Sequence, residues 1–107
     1  MIDAPVLEHA LLPVAPERAA EFEAAMVRAR PLILASPGCR WLSVTRCVER
    51  DDAYLLLVAW DSLEAHTEGF RGSPAFAEWR ALLHHFYDPA PVVQHFVTPE
   101  ALAATPA

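Results

Sequence analysis

The chain lacks lysine and asparagine altogether, and only two of its 107 residues are cysteines. All eight basic residues are arginines, against 14 acidic residues, and the formal net charge is −6. Because an acidic surface with scattered arginines repels phosphate backbones, we do not expect a nucleic-acid partner. The sequence has no apolar run long enough to span a membrane and no basic-then-apolar signal at its start. We therefore expect a cytoplasmic protein without a membrane partner.

The two cysteines, Cys39 and Cys47, lie eight residues apart on one predicted strand. An extended chain separates such residues by roughly 26 Å, far beyond the reach of a disulfide within the monomer. Neither cysteine has a second Cys or a His at a zinc-binding spacing. We therefore expect two free thiols that serve packing, and no metal site.

The length of the chain predicts one domain over residues 1–107, with a core from about 6 to 97 and a C-terminal tail from 98 to 107. Hydrophobic residues make up 54% of the sequence, which predicts a packed core rather than a disordered chain. A domain of this size still buries only a modest fraction of its surface, and this leaves room for a partner chain.

Apolar periodicity and proline positions predict the secondary structure of the first half of the chain. A strand over residues 6–12 is stopped by Pro13. A helix follows over residues 17 to about 34, opened by Pro16 and kinked or interrupted in its last turn by Pro31. Two further strands, over residues 39–48 and 54–60, predict a hairpin across the polar turn between them.

The second half of the chain predicts a broken helix and a last strand. The helix opens with Ser62 as its N-cap, is broken by Gly69 and Gly72, and starts again at Ser73 and Pro74. Its predicted interior face comprises Leu63, His66, Phe70, Phe76, Trp79, Leu83 and Phe86. A strand over residues 92–97 completes the order β-α-β-β-α-β. This order resembles the ferredoxin-like α+β arrangement, an antiparallel sheet with helices on one face.

The third predicted strand is apolar on both faces, since Leu55, Leu57 and Ala59 alternate with equally apolar neighbours. Two helices can cover only one face of a four-stranded sheet, and soluble monomers rarely leave a large apolar patch in water. We therefore expect a homodimer through the uncovered sheet face. The alternative is that the tail folds over this face, but ten residues rich in Ala and Pro give poor cover.

Several stretches carry a resemblance to a known family. Residues 60–66 (WDSLEAH), 69–71 (GFR) and 73–76 (SPAF) are similar to the signature after the third strand of antibiotic biosynthesis monooxygenase domains. Residues 21–22 (EF) and 37–39 (PGC) resemble the first helix of that family and the turn after it, and residues 91–96 (PVVQHF) resemble its last strand. The resemblance extends over about residues 6–97.

The resemblance implies a dimeric α+β barrel with a cavity between sheet and helices in each subunit. Some members of the family oxidise aromatic polyketides or hydroquinones with dioxygen and no cofactor, others degrade haem, and one relative acts on a phosphorylated signalling sugar. Haem-degrading members resemble one another in an Asn on the first strand and a Trp and a His on the second helical region. This chain has no Asn, and Gly69 and Arg80 stand at the aligned positions. We therefore expect no cofactor. The alternative is haem, with His84, one turn beyond Arg80 on the same helix face, as a shifted ligand.

His66 is the candidate catalytic base. Imidazole titrates near neutral pH, and the helical spacing of His66 with Leu63 and Phe70 predicts that it points inward. The alternative for His66 is a hydrogen-bonded core histidine. The candidate substrate-binding residues offer aromatic walls, hydrogen-bond donors or positive charge, with core packing or solvated surface as the alternative. They are Trp60, Tyr54, Phe70, Arg71, Trp79 and Arg80.

The remaining histidines predict no metal site. His84 and His85 are adjacent on a helix, so their side chains diverge and cannot chelate one ion together. His9 and His95 lie on the first and last strands, which are neighbours in this topology, and whether they meet depends on the register.

These observations favour a cofactor-independent monooxygenase that oxidises a small aromatic or quinol-like molecule with dioxygen. Cofactor-free oxygenation requires a base, donors for a developing oxyanion and a dry cavity. One alternative is a dimer that binds a small molecule or serves a structural role without turnover. Another is an isomerase or lyase that uses the same histidine, and oxygen dependence separates it from the monooxygenase.

Overall fold

A computed structural model describes residues 5–107 of the chain. Residues 1–4, which belong to the stretch expected to carry no targeting signal, lie outside the described residues. The strands are β1 (Val6–Pro13), β2 (Cys39–Arg46), β3 (Ala53–Trp60) and β4 (Val93–Phe96), and the α-helices are α1 (Ala19–Leu34) and α2 (Pro74–Leu83). Single turns of 3₁₀-helix occupy Pro16–Arg18, His84–Phe86 and Glu100–Leu102, and a π-helical segment occupies Ala65–Phe70.

The four strands form one antiparallel sheet in the order β2-β3-β1-β4, so the predicted ferredoxin-like α+β fold is confirmed. Side chains alternate between the two faces of the sheet. The inward set of β1 and β3 packs with both helices into one core. Its large members are Leu12, Tyr54, Leu56, Val58 and Trp60, together with Phe22, Met26 and Ile33 of α1 and Trp79 and Leu83 of α2.

The boundaries of all four strands differ from those expected, and β3 begins one residue early, at Ala53. Pro13 belongs to β1, because residues 11–13 extend beyond the pairing with β4 and a proline is tolerated where one side of a strand is unpaired. The second strand ends at Arg46, since the Cys47 N–H turns to the carbonyl of Ala53 (2.9 Å). The last strand is limited to the four residues that find partners on β1.

Of the two effects expected of Pro31, interruption of the first helix is wrong. Helix α1 continues through Pro31 to Leu34, and the Ala35 N–H still donates to the Pro31 carbonyl (3.1 Å). In a regular helix the N–H at position 31 donates to the carbonyl of Val27, and proline lacks this N–H. Both Val27 and Pro31 are exposed. Water can therefore solvate the freed carbonyl, which lowers the cost of the proline.

The two predicted serine caps behave differently. The Ser62 hydroxyl accepts the Ala65 N–H (3.1 Å), so the first cap is confirmed. The Ser73 hydroxyl instead donates back to the Phe70 carbonyl (2.6 Å). Ser73 therefore occupies the predicted N-cap position of α2, with Pro74 after it, but its hydroxyl makes no capping hydrogen bond.

The outer face of the sheet carries the odd-numbered residues of β1 and β3. Leu11 remains 55% exposed and Phe96 48% exposed on this face, and Leu55 and Leu57 are half-buried. Cys39 and Cys47 are both free thiols, as expected. Over residues 5–107, no helix combines the length and apolar character that a membrane crossing requires.

Candidate functional site

His66 lies on the wide π-helical segment between β3 and α2. The Arg71 N–H reaches back to the His66 carbonyl (3.0 Å), a bond that spans five residues instead of four. The segment turns His66 and Phe70 into the interior, where the His66 side chain is 3% exposed. Leu63 was expected on the same face but remains 42% exposed. Segments of this kind are frequent at functional sites, because they re-aim one turn of side chains.

Glu8 is a buried carboxylic acid on β1, only 4% exposed. It occupies an inward position of the strand, between Val6 and Ala10. The Trp60 indole N–H donates to Oε1 of Glu8 (2.9 Å), and Nε2 of His66 lies 3.4 Å from the same oxygen. The Trp60 ring also stacks on the His66 ring, with centroids 5.1 Å apart. Trp60 therefore holds both members of the Glu8–His66 pair in place.

His95 completes the cluster from the edge strand β4. It stands opposite Glu8 in the antiparallel register, and its Nε2 lies 2.7 Å from Nδ1 of His66. The two ring nitrogens of His66 thus face two different partners. His9 stands one position along β1 and contacts Phe96 on the other side of the sheet, so the two strand histidines do not meet.

Burial sets the protonation of this cluster. It raises the pKa of Glu8, although the Trp60 hydrogen bond and the positive charge of Arg71 act in the opposite direction. Burial lowers the pKa of His66 to about 3, and the charges of Arg71 and His95 add to this effect. Burial and Arg71 also lower the pKa of His95. Both histidines are consequently neutral at physiological pH, and each ring keeps one N–H donor and one lone pair.

A cavity of about 130 Å³ borders the cluster, between the sheet and the second helical region. An engineered cavity of roughly 150 Å³ in another protein accommodates one benzene molecule, so the space suits a single aromatic ring. Its wall combines Glu8, His66, Arg71 and His84 with aromatic and aliphatic side chains. The principal apolar members of the wall are Phe70, Phe76, Trp79, Leu12, Ile33 and Leu56.

Four of the seven candidate catalytic and substrate-binding residues line this cavity together: His66, Phe70, Arg71 and Trp79. The remaining three lie elsewhere. Trp60 is fully buried beneath the cavity wall, where it contacts Glu8 and His66. Arg80 is exposed, with its guanidinium 5.9 Å from the centre of the Phe76 ring.

Tyr54 belongs to a different cavity. Its hydroxyl donates to Oε2 of Glu23 on α1 (2.6 Å). The cavity around this pair measures about 290 Å³, and its wall includes Arg30 and Arg46. It is larger than the cavity beside His66 but contains no histidine, and its Glu23 is an exposed carboxylate.

Sequence reasoning missed Glu8. A carboxylic acid at an inward position of an apolar strand is the signal that would have found it, because an acidic residue is seldom fully buried without a partner. His95 was noted only as a possible neighbour of His9, since the pairing register was unknown. Within residues 5–107, no group of three or more His, Cys, Asp or Glu side chains has the arrangement to hold a metal ion.

Comparisons with known proteins agree with this architecture. The model of the antibiotic biosynthesis monooxygenase family matches residues 5–82. The uncharacterized protein YczJ of Bacillus subtilis is 48% identical over 91 residues, which cover 85% of this chain and 96% of YczJ. A Bordetella bronchiseptica structure assigned to antibiotic biosynthesis monooxygenases is 35% identical, with a TM-score of 0.82 over 88% of this chain and 96% of that one.

A third comparison shows the fold alone. SnoaB, a cofactor-independent oxygenase from Streptomyces nogalater, is 21% identical to this chain. Its structure superposes with a TM-score of 0.76, over 92% of this chain and 97% of SnoaB.

Proposed function

Because the chain belongs to the antibiotic biosynthesis monooxygenase family, we propose that it is a cofactor-independent monooxygenase that oxidises a small aromatic or quinol-like molecule with dioxygen. The observation that carries the proposal is the pairing of a buried carboxylic acid with a neutral histidine at the wall of a cavity the size of one ring. The similarity of the fold to SnoaB, a cofactor-independent oxygenase, supports the same reaction class.

The cavity supports a substrate with a single ring. Phe70, Phe76 and Trp79 supply apolar walls for an aromatic molecule, and about 130 Å³ is too small for several fused rings. Arg71 borders the same space, where its positive charge favours a substrate that becomes an oxyanion. A phenol or hydroquinone meets both requirements.

The reaction on a phenol balances without any cofactor. The Glu8–His66 pair removes the hydroxyl proton, and the phenolate then gives one electron to dioxygen. The resulting phenoxyl radical and superoxide combine at a ring carbon to form a peroxide. Loss of water from the peroxide leaves a carbonyl, so one oxygen atom enters the quinone and the other leaves in water with the two hydrogens of the substrate. Glu8 receives the proton in this scheme, and His66, the base expected from the sequence, acts through its contact with Glu8.

The proposed functional unit is a homodimer through the outer face of the sheet. Leu11 and Phe96 are about half exposed there, and Trp41, Leu55 and Leu57 extend the apolar surface. A second copy related by a two-fold axis would cover this surface with the same residues.

A proton-transfer isomerase or lyase is the second candidate function. The same observation favours it, because a buried carboxylate beside a neutral imidazole can remove a proton from a carbon next to a carbonyl as well as from a phenol. Such an enzyme turns over without dioxygen.

The test is oxygen uptake by the purified protein with single-ring hydroquinones and phenols, and with fused-ring analogues for comparison. We expect uptake with single-ring substrates only, its loss in His66→Ala and Glu8→Gln, and its retention in His85→Gln, which alters an exposed histidine outside the cavity. Substrate conversion that continues at the same rate under nitrogen would favour the isomerase or lyase. No conversion of any substrate in either atmosphere would overturn both candidates.

A further inference from the structure

His66 lies between an acid and a second histidine, with one ring nitrogen toward each. Nε2 lies 3.4 Å from Oε1 of Glu8, and Nδ1 lies 2.7 Å from Nε2 of His95. The first distance is long for a hydrogen bond, but such contacts in ligand-free sites commonly tighten when substrate binds. An imidazole with partners on both nitrogens can accept a proton on one and release a proton from the other.

Two arrangements of protons satisfy this cluster. In the first, Glu8 is a carboxylate that accepts the Nε2–H of His66, and Nδ1 of His66 accepts the Nε2–H of His95. In the second, protonated Glu8 donates to Nε2 of His66, and the Nδ1–H of His66 donates to Nε2 of His95. The second arrangement holds one more proton, carried on Nδ1 of His95. Passage from the second arrangement to the first moves each shared proton one place toward His95, releases the Nδ1 proton of His95, and leaves both imidazoles neutral.

We propose that Glu8, His66 and His95 form a proton relay, in which Glu8 receives the proton of the substrate in the cavity and His95 releases a proton to solvent at the β4 edge. This inference rests on the proposed function for the source of the proton. The substrate O–H bond breaks and a Glu8 O–H bond forms while both histidines carry their proton on Nδ1, which gives the second arrangement. The Glu8 proton then passes to Nε2 of His66 as the Nδ1–H of His66 passes to Nε2 of His95, the N–H bond at Nδ1 of His95 breaks, and water accepts that proton. The first arrangement remains, and exchange of the histidine protons with water restores the Nδ1 tautomers before the next turnover.

The exposure of the three side chains supports this direction. Glu8 and His66 are almost fully buried and both line the cavity, whereas His95 is half-buried on an edge strand and does not line it. The two contacts of Glu8 with Trp60 and His66 both end on Oε1, which leaves Oε2 for a molecule in the cavity.

The charged and titratable groups around the relay favour proton transfer in which neither histidine becomes a stable imidazolium cation. Arg71, after the π-helical segment, lowers the pKa of both histidines, so a proton does not rest on either ring as a second positive charge. Arg71 acts on Glu8 in favour of the carboxylate that accepts the proton. Cys39 of β2 is the other titratable side chain influenced by Glu8, and burial raises its pKa to about 11, so it stays a neutral thiol.

A test without substrate separates the relay from the proposed reaction. Nitrogen-15 NMR of the histidine rings should show one proton shared between His66 and His95, with a strongly downfield and slowly exchanging resonance. We expect Glu8→Gln to change the tautomer of His66. We also expect it to shift the titration of His95, although Glu8 makes no hydrogen bond or ion pair with His95, because His66 connects the two. Titration of His95 that is the same in Glu8→Gln and in the wild type would overturn the relay, whatever the protein catalyses.

Steady-state kinetics provide a second test of the relay once a substrate has been identified. Gln at position 95 can still hydrogen bond to His66 but cannot pass a proton on. We therefore expect His95→Gln to lower kcat by at least about tenfold with little change in KM, and small imidazole buffers to restore much of the rate in His95→Ala. His85→Gln is the control. Full kcat in His95→Gln would overturn the relay and leave the oxygenase proposal standing.

Discussion

Nδ1 of His66 and Nε2 of His95 lie 2.7 Å apart, although 29 residues separate them in the chain. The contact joins the π-helical segment to the edge strand β4. Because the other nitrogen of His66 faces Glu8, the same contact links the interior of the cavity wall to the rim of the sheet.

Trp60→Phe should move the acid limb of the pH profile of kcat/KM to higher pH. The indole N–H lowers the pKa of Glu8, and its removal lets burial raise that pKa further. Activity depends on the carboxylate, so a higher pH is then needed to reach it. The measurement is initial rate against pH, with Trp41→Phe on the outer sheet face as the matched control. The assignment of this limb to Glu8 would be contradicted if the acid limb moved to lower pH, or if it moved by the same amount in both variants.

The folded protein should lose stability as the pH falls from about 6.5 toward 3. The pKa of His66 is lowered from 6.5 to about 3 in the fold, so the unfolded chain binds more protons in this window and acid favours unfolding. The contribution is up to a few kcal/mol, since each pKa unit corresponds to about 1.4 kcal/mol.

Glu8 contributes to this profile with the opposite sign. Its folded pKa is raised from 4.5, so its contribution to stability is present at low pH and is lost as the pH rises. Urea unfolding at several pH values should therefore be compared between the wild type and His66→Gln. We expect a shallower acid slope in His66→Gln, and equal slopes would show that His66 is protonated in the fold as easily as in solution.

Gly72→Ala should disturb the π-helical segment, whereas Gly69→Ala should be tolerated. A Cβ at Gly72 would lie 2.5 Å from the carbonyl oxygen of Glu68, a backbone atom that cannot swing away. At Gly69 the nearest atom, the Glu64 carbonyl oxygen, is 3.7 Å away, which is ordinary contact. We expect Gly72→Ala to cost about 1–3 kcal/mol, by analogy with overpacked cores. Thermal unfolding of the two variants checks this, and a Tm for Gly72→Ala at or above that of Gly69→Ala would refute it.

Phe96→Glu should convert the proposed homodimer into monomers. A charge on the outer sheet face would be buried without a partner when two copies meet. Val48→Glu is the matched control, because Val48 is 93% exposed in the turn between β2 and β3. Analytical ultracentrifugation gives the mass directly. A wild-type mass of one chain would overturn the dimer itself.

The order of the elements followed from local patterns in the sequence. Alternation of apolar residues predicted β3, and helical spacing together with Ser62 predicted where the second helical region opens and that His66 points inward. These features depend on neighbours within a few residues, so they can be derived from one stretch at a time. The strand boundaries shifted at Pro13 and Arg46, where strand pairing outweighs local preference. Solvation of the freed carbonyl lets α1 continue through Pro31.

The sequence by itself determined the antiparallel α+β fold, the apolar outer face and an interior histidine. These features follow from the spacing of apolar residues within each helix and strand. Only the tertiary structure decided that Glu8 and His95 are the partners of His66 and that Tyr54 lies in another cavity. The reason is the register: β1 and β4 pair so that Glu8 faces His95, and packing of the π-helical segment on the sheet brings His66 between them. Such a meeting depends on the sum of many distant contacts, which no single stretch of sequence encodes.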